Sequence, residues 1–319
     1  MWGNMRFSIA IWGLVLMGCS AHPSDSQAPN SVAAAFIPEP APQMPAPKKT
    51  ICPKAPSSND LAMLVAGSPA IVIGQLGGDP ARILSIQHDY LTLPVNGVEW
   101  IKGSAPPAPL TVRVYLEKNT EPSADAIAAA IGKNNLLFLL RSDGEGEQRY
   151  YFSRGRSGAL RAADQAGIAL VRTEIARQNK IVADWAPDDT LPDYAKVQNL
   201  IQQLAAISPN DVDRQKKQQA IFDKIEALGK PAVPALIALM DDRRELADHY
   251  MRLMNNFPGA FEAYRWYGPE KIVDALSAIL NQITGTGFTS IYNGGTEAER
   301  DTDVAGWRIY ASGLVCGQT

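Results

Sequence analysis

Histidine and cysteine are scarce in this chain, with three of each among 319 residues. A zinc site needs several His or Cys side chains at short spacings, and no such cluster is present. The hydrolase motif Gly-x-Ser-x-Gly is also missing, because Gly155-Arg-Ser-Gly158 has a different spacing. The stretches Gly285-Thr-Gly287 and Gly294-Gly295 lack the Lys-Ser/Thr ending of a phosphate-binding loop. We therefore predict no catalytic residues, no metal and no cofactor.

The chain also lacks an excess of charge of one sign and a long apolar run. Thirty basic and thirty-three acidic side chains give a net charge of −3, which leaves no positive excess to neutralise a nucleic-acid backbone. No stretch of about 20 apolar residues is available to cross a bilayer as a helix. The composition, 46% hydrophobic and 20% charged, is that of a folded protein. Nucleic acid is therefore excluded as the expected partner.

The first nineteen residues carry an export signal. The apolar run from Phe7 to Met17 is too short for a membrane span and typical of a signal-peptide core. It ends in Leu16-Met-Gly-Cys19, which resembles the lipobox of bacterial lipoproteins. The resemblance implies a signal peptide over residues 1–18, cleavage between Gly18 and Cys19, and a lipid on Cys19. A buried N-terminal helix with an incidental cysteine is the alternative. By the sorting rule of Gram-negative lipoproteins, Ser20 implies the periplasmic face of the outer membrane.

Residues 19–60 are rich in alanine and proline, and they hold nine of the 23 prolines. Proline fixes φ and removes a hydrogen-bond donor, so the run Pro38–Pro47 favours an extended polyproline spacer. We interpret residues 19–60 as a lipidated tether that keeps the folded part away from the membrane. A proline-rich recognition motif is the alternative.

Short runs of β-forming residues, separated by Gly, Pro and Asn, predict a β-rich domain over residues 61–182. Val112, Val114 and Leu116 alternate with polar neighbours, which indicates a half-buried strand. The predicted strands are Ala70–Gly74, Arg82–Leu93, Gly97–Ile101 after a Pro94–Gly97 turn, Leu110–Leu116, Asn135–Leu140 and Gln148–Phe152. The predicted helices are Ala124–Ile131 and Asp164–Gln178.

The order of these segments is similar to that of the netrin-like family of OB-type barrels. The resemblance rests on Ala70-Ile-Val-Ile-Gly74, on Trp100-Ile-Lys-Gly103 and on Leu136-Leu-Phe-Leu139. It implies a small antiparallel β-barrel. Family members that inhibit metalloproteinases present an N-terminal cysteine to the metal, whereas a tether precedes the domain here. Protease inhibition by that route is therefore not expected.

From residue 183 to residue 319 the apolar residues recur with helical spacing, and we predict helices to the end of the chain. One stripe contains Tyr194, Val197, Leu200, Ile201 and Leu204. Further helices are predicted over Asp211–Leu228, Lys230–Asp242, Pro269–Thr284 and Thr296–Tyr310.

Part of this region resembles one half of a HEAT-type helical repeat. The resemblance implies a HEAT-like domain in which Arg243 or Arg244 hydrogen-bonds to a terminal Asp. Its residues are Gly229, Pro231, Val233, Pro234, Leu236, Leu239 and Asp242. The expected fold class is therefore α+β, with a small OB or netrin-like barrel followed by an all-α HEAT-like domain.

Two cysteines, Cys52 and Cys316, remain once Cys19 carries lipid. Export to an oxidising compartment makes a disulfide between them the expected state. Free thiols or an intermolecular bond are the alternatives.

The segment Phe257–Pro269 is rich in aromatic residues and contains Tyr264-Arg265-Trp266-Tyr267. Such side chains are frequent in protein interfaces and also stack on sugars, so these four are the candidate partner-binding residues. The alternative, which we favour at this stage, is that the rings pack between helices or between the two domains.

These features together predict a non-enzymatic, membrane-anchored lipoprotein that faces the periplasm and binds a protein or acts as a scaffold in the cell envelope. One alternative is an envelope enzyme that acts on peptidoglycan or another glycan through Glu262 or Asp248, which requires paired carboxylates in one cleft. A periplasmic immunity or inhibitor protein is the other.

Overall fold

The structure is a computed structural model, and it describes residues 50–51, 61–86, 88–117, 120–142, 149–153, 158–255, 261–314 and 317–318. The predicted signal peptide, the lipid site at Cys19, most of the tether, and both Cys52 and Cys316 lie outside these residues.

The described residues contain ten strands, nine α-helices and a short 3-10 helix at Lys230–Ala232. In chain order the elements are β1 (Thr50–Ile51), α1 (Leu61–Ala66), β2 (Ala70–Leu76), α2 (Pro80–Ser85), β3 (Asp89–Lys102), β4 (Thr111–Leu116), α3 (Ala124–Ala130), β5 (Asn134–Ser142), β6 (Arg149–Phe152), β7 (Leu160–Ala162), α4 (Gln165–Ala183), α5 (Tyr194–Ala205), α6 (Arg214–Glu226), α7 (Val233–Leu239), β8 (Met251–Met254), β9 (Tyr264–Tyr267), α8 (Ile272–Thr284), α9 (Glu297–Gly313) and β10 (Gly317–Gln318).

Five of the strands close into a barrel, in the order β2-β3-β4-β6-β5 and back to β2. All neighbours are antiparallel except β4 and β6, which run parallel with Val112 opposite Tyr150. Strand β7 pairs with the start of β5, beyond the part of β5 that pairs with β6. The predicted α+β class with a small barrel is confirmed, although the barrel includes one parallel pair.

The alternation predicted for β4 is confirmed, because Val112, Val114 and Leu116 are buried and Thr111 is exposed. The run Leu136–Leu139 is buried on both faces, as expected for a strand between the barrel interior and other elements.

Two predictions are wrong. Residues 82–85 belong to helix α2, whose start is capped by the Asp79 carboxylate. No turn divides β3 at Pro94–Gly97, because this strand pairs with β4 along its first half and with β2 along its second.

The predicted helices after residue 183 are confirmed at α5, α6, α7, α8 and α9. Helix α5 buries Val197, Leu200, Ile201 and Leu204, as its apolar stripe predicts. Helix α8 is the centre of this part, with ten of its thirteen residues buried. The prediction that only helices follow residue 183 is wrong, because β8 and β9 form an antiparallel hairpin between α7 and α8.

Helix α1 contributes to both hydrophobic cores. Its Met63 and Ala66 pack into the helical core, while Leu64 and Val65 pack into the barrel core. Side chains of other elements hydrogen-bond to its backbone carbonyls. The Gln178 amide donates to Ala62 O at 2.7 Å, and the Lys102 amine donates to Val65 O at 2.7 Å. Burial lowers the pKa of Lys102 to about 8. Residues 48–319 form one compact unit.

A buried ion pair joins α8 to α9. The Arg300 guanidinium is 3% exposed and makes two hydrogen bonds to the fully buried Asp274 carboxylate, at 2.8 and 2.9 Å. Arg300 also donates to Glu270 and Glu297. Hydrogen bonds from Lys271 and Arg300 lower the pKa of Glu297 to about 2. Asp274 in addition accepts hydrogen bonds from two backbone N–H groups just before α8, so one carboxylate both caps α8 and neutralises the arginine.

Replacing Arg300 with Met should lower the free energy of unfolding by about 3–5 kcal/mol, because it leaves the Asp274 charge buried without its partner. Urea denaturation measures this loss. The double variant R300M/D274N should recover part of it, since no buried charge then remains. The control is Arg172→Met, which removes an exposed ion pair with Glu99 and should cost at most about 1 kcal/mol. Equal losses in R300M and R172M would contradict the assignment.

Candidate functional site

The exposed apolar side chains of the described residues are concentrated in one segment. Nine large hydrophobic or aromatic side chains are exposed, and five of them lie between residues 250 and 266. Monomeric proteins seldom leave large apolar side chains clustered on the surface, and such clusters mark interaction sites. The five are Tyr250, Met254, Phe261, Tyr264 and Trp266.

Strand alternation divides the four candidate residues of β9 into two pairs. Tyr264 and Trp266 point to solvent, with exposed fractions of 38% and 55%. Arg265 and Tyr267 are half-buried, and the Tyr267 ring contacts Tyr292 at 5.5 Å between centroids. Tyr267 therefore packs within the protein, as predicted by the alternative in which the rings serve internal packing. Tyr264 and Trp266, in contrast, are available to a partner.

The cross-strand partners of the two exposed rings complete one continuous face. Arg252 lies opposite Trp266, and Met254 lies opposite Tyr264. The Arg252 guanidinium is 4.4 Å from the centroid of the Tyr264 ring, and Tyr250 lies 5.4 Å from Trp266. We call these five residues, Tyr250, Arg252, Met254, Tyr264 and Trp266, the aromatic face.

Two glutamine side chains of α6 hold the chain that leads into β8. The Gln219 amide nitrogen donates to Arg252 O at 2.7 Å, and its oxygen accepts from Arg252 N at 2.9 Å. Gln218 makes the same pair of bonds with Asp248, at 2.6 and 3.3 Å. A primary amide carries both N–H donors and a carbonyl acceptor, so each glutamine side chain pairs with a backbone N–H and C=O as a neighbouring strand would. The outer edge of β8 and of the segment leading into it is thus hydrogen-bonded within the protein at Arg252 and Asp248.

Further along the same edge, two side chains reach the backbone of Met254. Its N–H donates to Glu226 at 3.5 Å, and its carbonyl accepts from Gln282 of α8. Burial raises the pKa of Glu226. The outer edge of β8 is therefore hydrogen-bonded to both α6 and α8. The hairpin that carries the rings of the aromatic face is held in place by these bonds.

The sequence pattern did not predict these supporting residues. Lys216-Lys217-Gln218-Gln219 resembles the polar side of a surface helix, yet Gln218 is completely buried. A signal was available, because Gln218 lies three and seven residues before Ile221 and Ile225 and so continues their buried stripe.

The two carboxylates considered for glycan hydrolysis are not placed for that chemistry. The Asp248 carboxylate forms an ion pair with Arg214 at 3.2 Å, and Glu262 is exposed. Neither residue lines either of two clefts that described residues form, one beside Tyr151 and Thr289 and one beside Tyr90 and Arg113. Within the described part of the chain, no group of three or more His, Cys, Asp or Glu could hold a metal ion. The same residues include no helix long and apolar enough to span a membrane.

The end of the predicted tether pairs with the C-terminus of the chain. Strand β1 runs antiparallel to β10, with Thr50 opposite Gln318 and Ile51 opposite Gly317. Cys52 and Cys316 lie outside the described residues, but each directly adjoins this pair. The disulfide stays a prediction.

Replacing Gln219 with Ala should loosen the hairpin without unfolding the cores. The reason is that the backbone N–H and C=O of Arg252 both lose their hydrogen-bond partner. An unpaired buried group costs about 1–3 kcal/mol, which corresponds to roughly fivefold to hundredfold faster amide exchange at Arg252. Hydrogen-exchange mass spectrometry of the 248–255 peptide measures this change. Gln215→Ala, at an exposed position of α6, is the matched control and should leave exchange unchanged. Equal exchange in both variants would contradict the supporting role.

No protein-family model, curated protein or solved structure matches this chain.

Proposed function

We propose that this protein is a non-enzymatic lipoprotein, anchored at the periplasmic side of the outer membrane, that binds a protein of the cell envelope through its aromatic face. The observation that carries the proposal is the exposure of Trp266 and Tyr264 on a hairpin whose β8 edge is hydrogen-bonded to α6 and α8 at Arg252 and Met254. A binding surface of this kind needs rings that are exposed in the free protein and already in position.

The composition of the aromatic face favours a protein as the partner. Tyr, Trp, Arg and Met are the residue types enriched in the buried centres of protein interfaces, and Trp, Tyr and Arg supply most hot spots. The Arg252 guanidinium is stacked on Tyr264, so less conformational freedom is lost when a partner covers it. The strand backbone beneath the rings is held by side-chain amides, which further lowers the entropy cost of binding.

The membrane anchor in this proposal is the lipid on Cys19, supported by the lipobox Leu16–Cys19. Acyl chains contribute about 0.8 kcal/mol per buried methylene, so two or three of them hold a protein on a membrane. About 30 residues separate Cys19 from Thr50, and a polyproline-like chain of that length extends up to roughly 90 Å. The folded part can then meet partners well away from the membrane surface.

We also propose a fold type for each of the two parts of the protein. We assign the barrel to the OB type with a netrin-like resemblance, because its strands follow the order one-two-three-five-four with α3 between the third and fourth. We assign the region after residue 183 to a divergent HEAT-like arrangement. The two-pronged hydrogen bond from Arg244 to Asp242 supports this assignment, whereas the hairpin between α7 and α8 departs from a simple helical repeat.

Replacing Cys19 with Ser tests the anchor. The wild-type protein is expected in the membrane fraction, with a mature N-terminus at a lipid-modified Cys19 that mass spectrometry identifies. The C19S variant cannot receive the lipid, so the acyl mass should be absent from its N-terminal region. Cys52→Ser is the matched control and should keep both the lipid mass and the membrane location. The same N-terminal mass addition in C19S and in the wild type would contradict lipidation at Cys19.

Replacing Trp266 with Ala tests the binding surface. Hot-spot truncations cost about 2 kcal/mol or more, so the yield of a specific partner should fall by about thirtyfold. Crosslinking in envelope membranes, followed by quantitative mass spectrometry of the captured proteins, measures that yield. Leu170→Ala removes an equally exposed apolar side chain from α4 and should leave the yield unchanged.

Two results would count against this surface. Identical captured proteins from W266A and wild type would exclude the aromatic face as the docking site. Loss of vesicle binding in W266A, without loss of any captured protein, would assign the face to the membrane. A captured toxin or enzyme would instead identify the protein as an immunity or inhibitor protein that uses the same face.

A further inference from the structure

A cleft of about 660 Å³ lies between the barrel and the helical part. Its barrel wall includes Ser104, Arg141 and Tyr151, and its helical wall includes Thr289, Tyr292 and Glu299. The volume is within the range of small-molecule sites, which are often found where two structural layers meet. None of the five residues of the aromatic face lines it, so the cleft is a separate feature of the molecule.

The helical wall is fixed by buried contacts behind it. The Phe288 ring lies against Gly306, where an added Cβ would be 2.2 Å from Phe288 Cγ, and it contacts the Trp307 ring edge-on at 5.2 Å. The fully buried Asp303 carboxylate accepts hydrogen bonds from the Thr289 N–H and hydroxyl, both at 2.9 Å. Burial raises the pKa of Asp303. The segment that carries Thr289 and Tyr292 is therefore held in one position.

The barrel wall of the cleft is also held in place by close contacts. Gly103 has a φ of +82°, and an added Cβ there would be 2.7 Å from Pro69 O, so the ends of β2 and β3 meet without a side chain between them. Tyr150, which also lines the cleft, is 4% exposed and contacts Trp100 at 6.1 Å between centroids. Both walls are thus preformed.

We propose that this cleft binds a short neutral oligosaccharide. Aromatic rings on both walls, at Tyr151 and Tyr292, offer apolar faces of the kind that pack on pyranose rings. Ser104, Thr289, Ser290, Thr302 and Asn281 add hydroxyl and amide groups to the lining. The Thr289 and Thr302 hydroxyls and the Asn281 amide already donate to Asp303, Ala298 O and Thr286 O, so they present their oxygens as acceptors for sugar hydroxyls.

The charge of the cleft lining favours a neutral oligosaccharide over a charged one. Among the described residues of the lining, the formally charged side chains at neutral pH are Arg141 and Glu299, which belong to opposite walls. The described lining therefore carries no net charge and offers no excess of opposite charge to a strongly anionic or cationic ligand.

Titration of the full-length protein with N-acetylchitotriose, cellotriose and maltotriose tests the proposal, with binding followed by saturation-transfer NMR and calorimetry. At least one of the three should bind with a dissociation constant of about 10 mM or tighter. Ala298→Trp places a large side chain at an exposed position of α9 that lines the cleft, and it should weaken that binding by more than about tenfold. Tyr151→Ala should weaken it by about tenfold through loss of ring stacking.

Ser312→Trp is the control for α9, because position 312 is exposed and is not part of the lining; it should leave binding unchanged. Trp266→Ala should also leave it unchanged, which separates this site from the aromatic face. Absence of binding by all three sugars, or binding that A298W does not reduce, would overturn the proposal. Sugar binding lost in W266A and kept in A298W would move the site to the hairpin and equally overturn it.

Discussion

The Arg300 guanidinium is 3% exposed, and the fully buried carboxylate of Asp274 makes that placement possible. The pair fixes the first turn of α8 against the first turn of α9. Strand β9 leads directly into α8, and the first turns of α9 carry Glu299 and Thr302 of the cleft. The positions of the hairpin and of one cleft wall therefore both depend on this ion pair. Its desolvation cost is offset only because four hydrogen bonds satisfy the arginine.

Much of the fold could be predicted from the sequence, because periodicity reflects burial on one face. The alternation at Val112, Val114 and Leu116 and the stripe of α5 both correspond to observed elements. The errors arose where tertiary pairing overrides local signals. Pro94 and Gly97 favour a turn, yet β3 continues through them because two different strands pair with its two halves. The hairpin β8–β9 was missed because its strands are four residues long, too short for a clear alternation.

The candidate site was predictable as a segment but not as a surface. A concentration of rings around Trp266 is visible in the sequence, whereas the division into exposed Tyr264 and Trp266 and half-buried Tyr267 requires the strand geometry. The supporting amides of Gln218 and Gln219 contact backbone about 30 residues away. No local pattern reports such a contact. The cleft is still less visible in the sequence, since its walls come from residues 69–151 and 281–302, which are far apart along the chain.

The most direct test of the account is a photo-crosslinking amino acid placed at position 254, in the aromatic face, in the intact cell envelope. The account predicts a discrete protein adduct at this position and none with the same reagent at position 170, which is exposed on α4. Equal adducts at both positions, or adducts to lipid alone at position 254, would contradict the central claim that the supported hairpin is the protein-binding surface.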